Sequence, residues 1–296
     1  MRAWRFAKRL RWTCLMTMSV GMPVSGQTLE LPPRGADAPT GREVAAMVRT
    51  VELEAREDRI FTEIAKGNIP ESFRTLMPVQ VTRQLDGREY RVTFWATADY
   101  LGVGSEEDAF YAPLSPQTAQ RVADLVGASL PTPFMVDAIW EAASTQLEPA
   151  PIPPSSEMTT VAVFEAHNRA VRSQLAALLS RPNGIMAGHK KDVVIAGALA
   201  EVPGKVAIYG WHEANAEPIQ PLYTGHTDRW VDYSHGIRLV HREVSIDGVM
   251  HDLVDVLRDE SLAALLSDEG VIAEPCYPTS TGAESDAGSV QTGSRP

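Results

Sequence analysis

All seven histidines of this 296-residue chain fall between His167 and His251. Four of them sit in turn-like, glycine-bearing contexts: Gly188-His189-Lys190-Lys191-Asp192, Tyr209-Gly210-Trp211-His212, Tyr223-Thr224-Gly225-His226-Thr227-Asp228 and Asp232-Tyr233-Ser234-His235-Gly236. Imidazole titrates close to neutral pH and serves as acid, base or metal ligand. Glycine gives the backbone conformations that aim a neighbouring side chain into a cleft, and loops on a rigid scaffold are where site residues gather. The expectation is a His-rich cleft in the C-terminal half. The plainer reading makes these turn residues bonded to backbone, with Trp211, Tyr223, Trp230 and Tyr233 as core aromatics. His167 and His251 fall on expected helices and His241 in an expected strand, as surface or packed residues.

Three chemistries suit these residue types. A serine hydrolase or acyl-transferring enzyme needs a hydroxyl, a histidine to take its proton and a carboxylate to orient that histidine. Ser234 is the best hydroxyl, His212 or His189 the base, and Asp232, with Asp228 or Asp192 as substitutes, the orienting acid. His235 is less suited to Ser234, because adjacent side chains on an extended segment point to opposite faces. Around this catalytic set, Lys190, Tyr209, Trp211, His226, Tyr233, His235 and Arg238 are candidate substrate contacts. No cofactor is required, and the substrate would be an amide or ester, in an envelope polymer or a small molecule. Gly-x-Ser-x-Gly is absent: Gly104-Ser105 is followed by Glu106-Glu107, which speaks against an ordinary α/β-hydrolase. The second chemistry is a zinc hydrolase using three of His189, His212, His226 and His235 with Asp192 or Asp232. No His-Glu-x-x-His spacing supports it. The third reading is a non-catalytic glycan or peptide binder, with the aromatic residues stacking and Lys190, Lys191 and Arg238 meeting carboxylates.

Ser234-His235-Gly236-Ile237-Arg238-Leu239 resembles the L,D-transpeptidase signature, and Ile208-Tyr209-Gly210-Trp211-His212 resembles that family's other His-bearing strand. Together they span about a tenth of the chain. The resemblance implies acyl transfer on an envelope polymer, but Ile237 stands where the family's nucleophilic cysteine belongs, so its acyl-enzyme chemistry does not carry over. Leu130-Pro-Thr-Pro-Phe-Met-Val-Asp-Ala-Ile-Trp140, Ala187-Gly-His-Lys-Lys-Asp192 and Asp232-Tyr-Ser-His-Gly-Ile-Arg-Leu239 resemble a secreted bacterial family without a characterised activity. That resemblance implies location and no chemistry.

The elements that must position these residues belong to an acidic protein, with 27 Lys+Arg against 38 Asp+Glu. Such a balance argues against nucleic acid as a partner, since phosphate demands a basic surface. The first 26 residues hold Arg2, Arg5, Lys8, Arg9 and Arg11, then an apolar run and Ser25-Gly26, the layout of a secretory signal peptide. Cleavage there predicts a secreted or periplasmic protein with no stable membrane anchor, 22 basic against 38 acidic residues, a net of −16, and a single cysteine. That cysteine, Cys276, cannot form an internal disulfide and lies beside a polar tail, a poor setting for catalysis.

After a polar linker over 27–39, apolar spacing from Thr40 to Gly67-Asn68 predicts one long amphipathic helix with a capping box at Thr40 and Glu43. Asp86-Gly87 predicts a hairpin between runs 80–85 and 88–96 that continues into 99–103. Ser115-Pro116 and Thr132-Pro133 open two further helices, and another is expected over 161–179. Strands are expected at 192–198, 205–209 and 237–246, and closing helices over 250–266. The fold class is α+β with an antiparallel-rich sheet, because no βαβ rhythm appears. The Pro-rich stretch 148–156 suggests a boundary between an N-terminal half (40–148) and a C-terminal half carrying the site (157–275). Residues 277–296 have the composition of a disordered tail.

Overall fold

A computed structural model describes residues 27–180 and 182–279; the expected signal segment and nearly all of the expected tail lie outside them. β1 (Gln27–Thr28) leads to α1 (Gly41–Val48) and α2 (Leu53–Ala65), and one turn, α3 (Glu71–Arg74), delivers β2 (Thr75–Leu85) and β3 (Arg88–Thr97). There follow β4 (Gly102–Val103), β5 (Phe110–Tyr111), α4 (Pro116–Leu125), β6 (Ala128–Ser129), α5 (Pro133–Ala142), β7 (Thr145–Gln146) and α6 (Val161–Ala176). The chain continues through β8 (Met186–Ala187), β9 (Lys191–Val194), β10 (Ala207–His212), β11 (Pro218–Tyr223) and β12 (His235–Gly236). It closes with β13 (Val240–His241), β14 (Glu243–Ile246), β15 (Val249–Asp252) and α7 (Leu253–Arg258). Mixed helices and mostly antiparallel strands make this an α+β fold, as the sequence pattern indicates.

The hairpin is the backbone of the larger sheet. Asp86 and Gly87 both take positive φ, 51° and 76°, the geometry a two-residue turn needs to match strand twist. The sheet then runs β1-β2-β3-β13-β6, with β14 also on β3 and β15 on β14. Strands from late in the chain thus complete a sheet begun by the N-terminal hairpin, and one hydrophobic core draws on residues from Leu29 to Tyr277. The stretch expected as a linker joins in, since Gln27 and Thr28 pair with β2 and Leu29 is buried. Tyr277, expected to begin the tail, is buried and donates its hydroxyl to Val194 O at 2.7 Å.

Several boundaries differ from expectation. The long helix is two, because the chain turns extended at Glu52, after the β-branched pair Thr50-Val51. The apolar spacing survives the break since each helix buries its own stripe, Val44 and Val48 in one, Ile60 and Ile64 in the other. The hairpin's second strand stops at Thr97, and 102–103 forms a separate small strand against β5. The strand expected over 237–246 is divided into β13 and β14, and His251 lies on β15 rather than on a helix. β11, interrupted by Pro218 and Pro221, escaped the pattern altogether because it is an edge strand. Ser115 and Thr132 cap α4 and α5 as expected, each accepting a backbone N–H from three residues on.

Candidate functional site

β9 is the axis of the second sheet, antiparallel to β10 and parallel to β12. Its pairing sets Lys191 beside His235 and Asp192 beside Gly236. Gly236 is required by space: a Cβ there would lie 2.6 Å from Lys190 Cβ and from Tyr100 Cδ1.

The expected serine triad does not assemble. Ser234 is fully buried, and its backbone N–H and hydroxyl both donate to Asp232 Oδ1, at 2.7 and 2.5 Å. This is an Asx turn, in which the carboxylate stabilises the loop and occupies the hydroxyl. His212 and His189 have other acids: His212 Nε2 is 2.8 Å from Asp137 Oδ1, and His189 Nε2 is 3.1 Å from Asp99 Oδ1. Asp228 is taken by the Gln117 amide, and Asp232 also accepts from Trp230 Nε1 at 3.3 Å. Burial works against the Asp232 carboxylate, but the His235 charge and the Ser234 hydrogen bonds hold it down to about 2.

The expected substrate contacts are mostly interior. Arg238 is fully buried, donating to Thr97 O and Met186 O at 2.6 Å each, with its guanidinium 4.1 Å over the Tyr100 ring. It clamps three segments together and meets no solvent. Lys190 is equally enclosed, its Nζ donating to Tyr233 O at 2.6 Å, and burial pushes its ammonium down to about 7. The Tyr233 hydroxyl exchanges hydrogen bonds with both Ile152 N and Ile152 O, fastening the Pro-rich stretch. His235 is buried with neither ring nitrogen hydrogen-bonded, and burial lowers it to about 4. His167, packed 5.1 Å from the Tyr233 ring and 6.1 Å from Trp211, is lowered by burial to about 2. Of the expected contacts, His226 and Tyr209 remain partly exposed; His226 stacks on Trp230 at 5.0 Å, with Tyr223 edge-on at 5.0 Å. The zinc reading fails on geometry: among the described residues no three His, Cys, Asp or Glu side chains come together as a metal would need.

His212 and Tyr209 do meet, on a partner the sequence did not announce. Residues three apart on a regular strand face opposite sides. Here a bulge between Ile208 and Gly210, with φ of 99° at Gly210 and 59° at Trp211, turns both toward α5. Asp137 receives the Tyr209 hydroxyl at 3.1 Å and His212 Nε2 at 2.8 Å. Positive φ at a bulky residue such as Trp211 is strained, and packing against Tyr233 and His167 holds it there. Asp137→Ala is expected to destabilise the protein by about 1–3 kcal/mol, by leaving the phenol and imidazole unpaired. Chemical denaturation checks it, and an unchanged midpoint would show the cluster to be inert.

The other polar cluster reaches open space. Asp99 Oδ2 accepts from the Tyr111 hydroxyl at 2.7 Å and Oδ1 from Tyr100 N–H at 2.7 Å, while the His189 ring lies edge-on to Tyr100 and Tyr111 at 4.8 and 5.3 Å. Burial, then the adjacent Asp99 charge, raises Tyr111 well above its ordinary value and keeps it protonated. Asp99 and Tyr111 line a half-open cavity of about 820 Å³, whose other walls come from α3, the 106–109 loop, the end of α6 and residues 182–186. Behind them the polar groups continue: Tyr100 OH donates to Asp192 Oδ2 at 2.6 Å, and burial raises Asp192 to about 6 in spite of Arg238. Asp99, Tyr111 and Asp137 were not singled out in the sequence. Asp137 lies in the Leu130–Trp140 motif, but nothing in local spacing links Asp99 to His189.

These elements define an α+β protein with a buried seam of ionisable side chains that opens into one wall of a cavity. Comparison of the chain with protein-family models, curated proteins and solved structures finds no match.

Proposed function

We propose that the protein is an extracytoplasmic hydrolase or acyl-transferring enzyme acting on an amide or ester bond, in an envelope polymer or a smaller molecule. The observation that carries this reading is the hydrogen-bonded Asp99–Tyr111 pair on the wall of the 820 Å³ cavity, backed by buried His189. Concave sites with a few convergent polar groups and displaced ionisation are where chemistry concentrates. Asp99 accepts a proton from water as its oxygen bonds to the substrate carbonyl carbon. The Tyr111 hydroxyl gives its proton to the departing nitrogen or oxygen and regains one from Asp99. One water enters, and an acid and an amine or alcohol leave. In acyl transfer an alcohol or amine replaces the water. His189 positions Asp99.

A panel of chromogenic esters, anilides and peptidoglycan fragments tests the reading. Asp99→Asn is expected to lower kcat/KM by roughly 100-fold or more with secondary structure intact, whereas Ser234→Ala is expected to keep turnover within a few-fold. Full turnover by Asp99→Asn, or no turnover of any panel member by the unmodified protein, would sink it.

A second reading, a non-catalytic glycan binder, is favoured by the Tyr223, His226 and Trp230 stack, in which Tyr223 is 43% exposed. It predicts oligosaccharide binding that is lost on Trp230→Ala and untouched by Asp99→Asn.

A further inference from the structure

Asparagine is among the chemically labile residues. The backbone nitrogen that follows it can attack the side-chain amide carbon, a step that a bulky next residue hinders and that glycine, with no Cβ, leaves open. The chain has four asparagines. Asn68 is fully buried and precedes Ile69; its Oδ1 accepts from Arg34 Nε at 2.9 Å, and its Nδ2 donates to Pro39 O at 2.9 Å and Glu63 Oε2 at 3.0 Å. Asn168 is buried on α6, where its Oδ1 accepts from Tyr111 N at 3.3 Å. Asn215 precedes Ala216 and is held at both ends by Glu217, whose N–H donates to Oδ1 at 3.0 Å and whose carboxylate accepts from Nδ2 at 3.3 Å.

Asn183 differs on each count. It is exposed, it precedes Gly184, and among the described residues neither its carboxamide nor the Gly184 N–H has a hydrogen-bond partner. The backbone is next tied down at Ile185, whose carbonyl accepts from Thr145 N at 3.1 Å, and at Met186, whose N–H donates to Ala98 O at 2.8 Å. Backbone without such bonds rearranges at little cost, so the geometry for ring closure is within reach in the folded protein. Asn183 and Gly184 both line the cavity that Asp99 and Tyr111 line.

We infer that Asn183-Gly184 is a site of spontaneous covalent modification, at which the folded protein converts its own asparagine to isoaspartate or aspartate and gains a carboxylate on the cavity lining. The Gly184 nitrogen gives its proton to hydroxide and bonds to Asn183 Cγ; the Cγ–Nδ2 bond breaks, and the amide nitrogen takes up a proton and leaves as ammonia. Water then adds to one or the other carbonyl of the five-membered imide and opens it. Opening at one carbonyl gives aspartate; opening at the other gives isoaspartate, which lengthens the backbone by one methylene just before the anchored Ile185. The reaction needs only water and hydroxide, and it is independent of the hydrolase reading.

Timed incubation of the purified protein at mildly alkaline pH, folded in buffer and unfolded in urea, tests this. Peptide mapping by mass spectrometry reads each asparagine, and methyl transfer by an isoaspartyl methyltransferase reads isoaspartate. Asn183 is expected to convert in the folded protein within about threefold of its rate in the unfolded chain, because little structure has to open. The Asp247-Gly248 pair, which can form the same imide, supplies the contrast. Asp247 accepts from Arg91 N at 2.9 Å and from an Arg88 terminal nitrogen at 2.7 Å, so its isomerisation is expected to be roughly tenfold or more slower folded than unfolded. Asn183→Gln, which would have to close a larger ring, is expected to abolish the signal at this position and leave the circular dichroism spectrum unchanged. An Asn183 that stays intact in the folded protein, or conversion of Asn68, Asn168 or Asn215 at a comparable folded-state rate, would overturn the inference.

Discussion

Replacing Arg238 by methionine is expected to destabilise the protein by about 3–5 kcal/mol, the range found when one partner of a buried charge pair is removed. The side chain is wholly enclosed, with Nε 3.8 Å from Asp192 Oδ1 and its two terminal nitrogens on Thr97 O and Met186 O. Methionine keeps part of the apolar volume against Tyr100, so the loss reports the hydrogen bonds, the ion pair and the cation–π contact together. Two buried carbonyls lose donors and Asp192 loses its nearest cation. Against the 5–15 kcal/mol that holds most domains together, this is a large share. Urea denaturation measures it. Adding Asp192→Asn to Arg238→Met is expected to recover part of the loss, because a neutral amide tolerates the interior better than an unpaired carboxylate. An unchanged midpoint in the single variant would refute the clamp.

Stability is also expected to fall as the pH drops from 6.5 toward 4. His235 and His167 have folded values near 4 and 2, below the 6.5 of the unfolded chain, because burial penalises the imidazolium. Between 6.5 and 4 the unfolded chain therefore binds protons at these two positions and the native state does not. Asp192 runs the other way: raised to about 6, it is protonated in the native state over the lower part of that window, where the unfolded carboxyl at 3.8 is not. Two histidines against one aspartate leave the unfolded state about one proton ahead. That corresponds to a slope of about 1.4 kcal/mol per pH unit, with stability rising as pH rises. Tm recorded from pH 7 to 4.5 reads the slope directly. The double variant His167→Gln/His235→Gln is expected to flatten or invert it, and a flat profile in the unmodified protein between pH 6.5 and 5 would contradict the burial of these rings as neutral groups.

Both effects arise in one place, the polar seam between the hairpin end and β9. A seam of this kind lowers stability wherever a group lacks a partner, as the ring nitrogens of His167 and His235 do. Its opening at Asp99 and Tyr111 is what distinguishes it from a purely architectural network.

Local chemistry was legible in the sequence. Asp86-Gly87 specified the hairpin turn because few dipeptides accept two positive φ angles, and Ser115-Pro116 and Thr132-Pro133 marked helix starts because their side chains answer orphan N–H groups. The α+β class and the concentration of histidines in the second half followed from the same kind of signal. Which acid meets which histidine did not. Asp232 lies two residues from Ser234, and that proximity closes an Asx turn instead of building a triad. Asp99 and Asp137 come from β3's end and from α5, and reach His189 and His212 only after the sheets close and a bulge turns β10. Pairing across such distances is set by strand register and packing, which involve the whole chain at once. The sequence alone determined which residues could ionise; the tertiary structure decided which were buried, which were paired and which faced a cavity, because burial and partnership are properties of the folded interior.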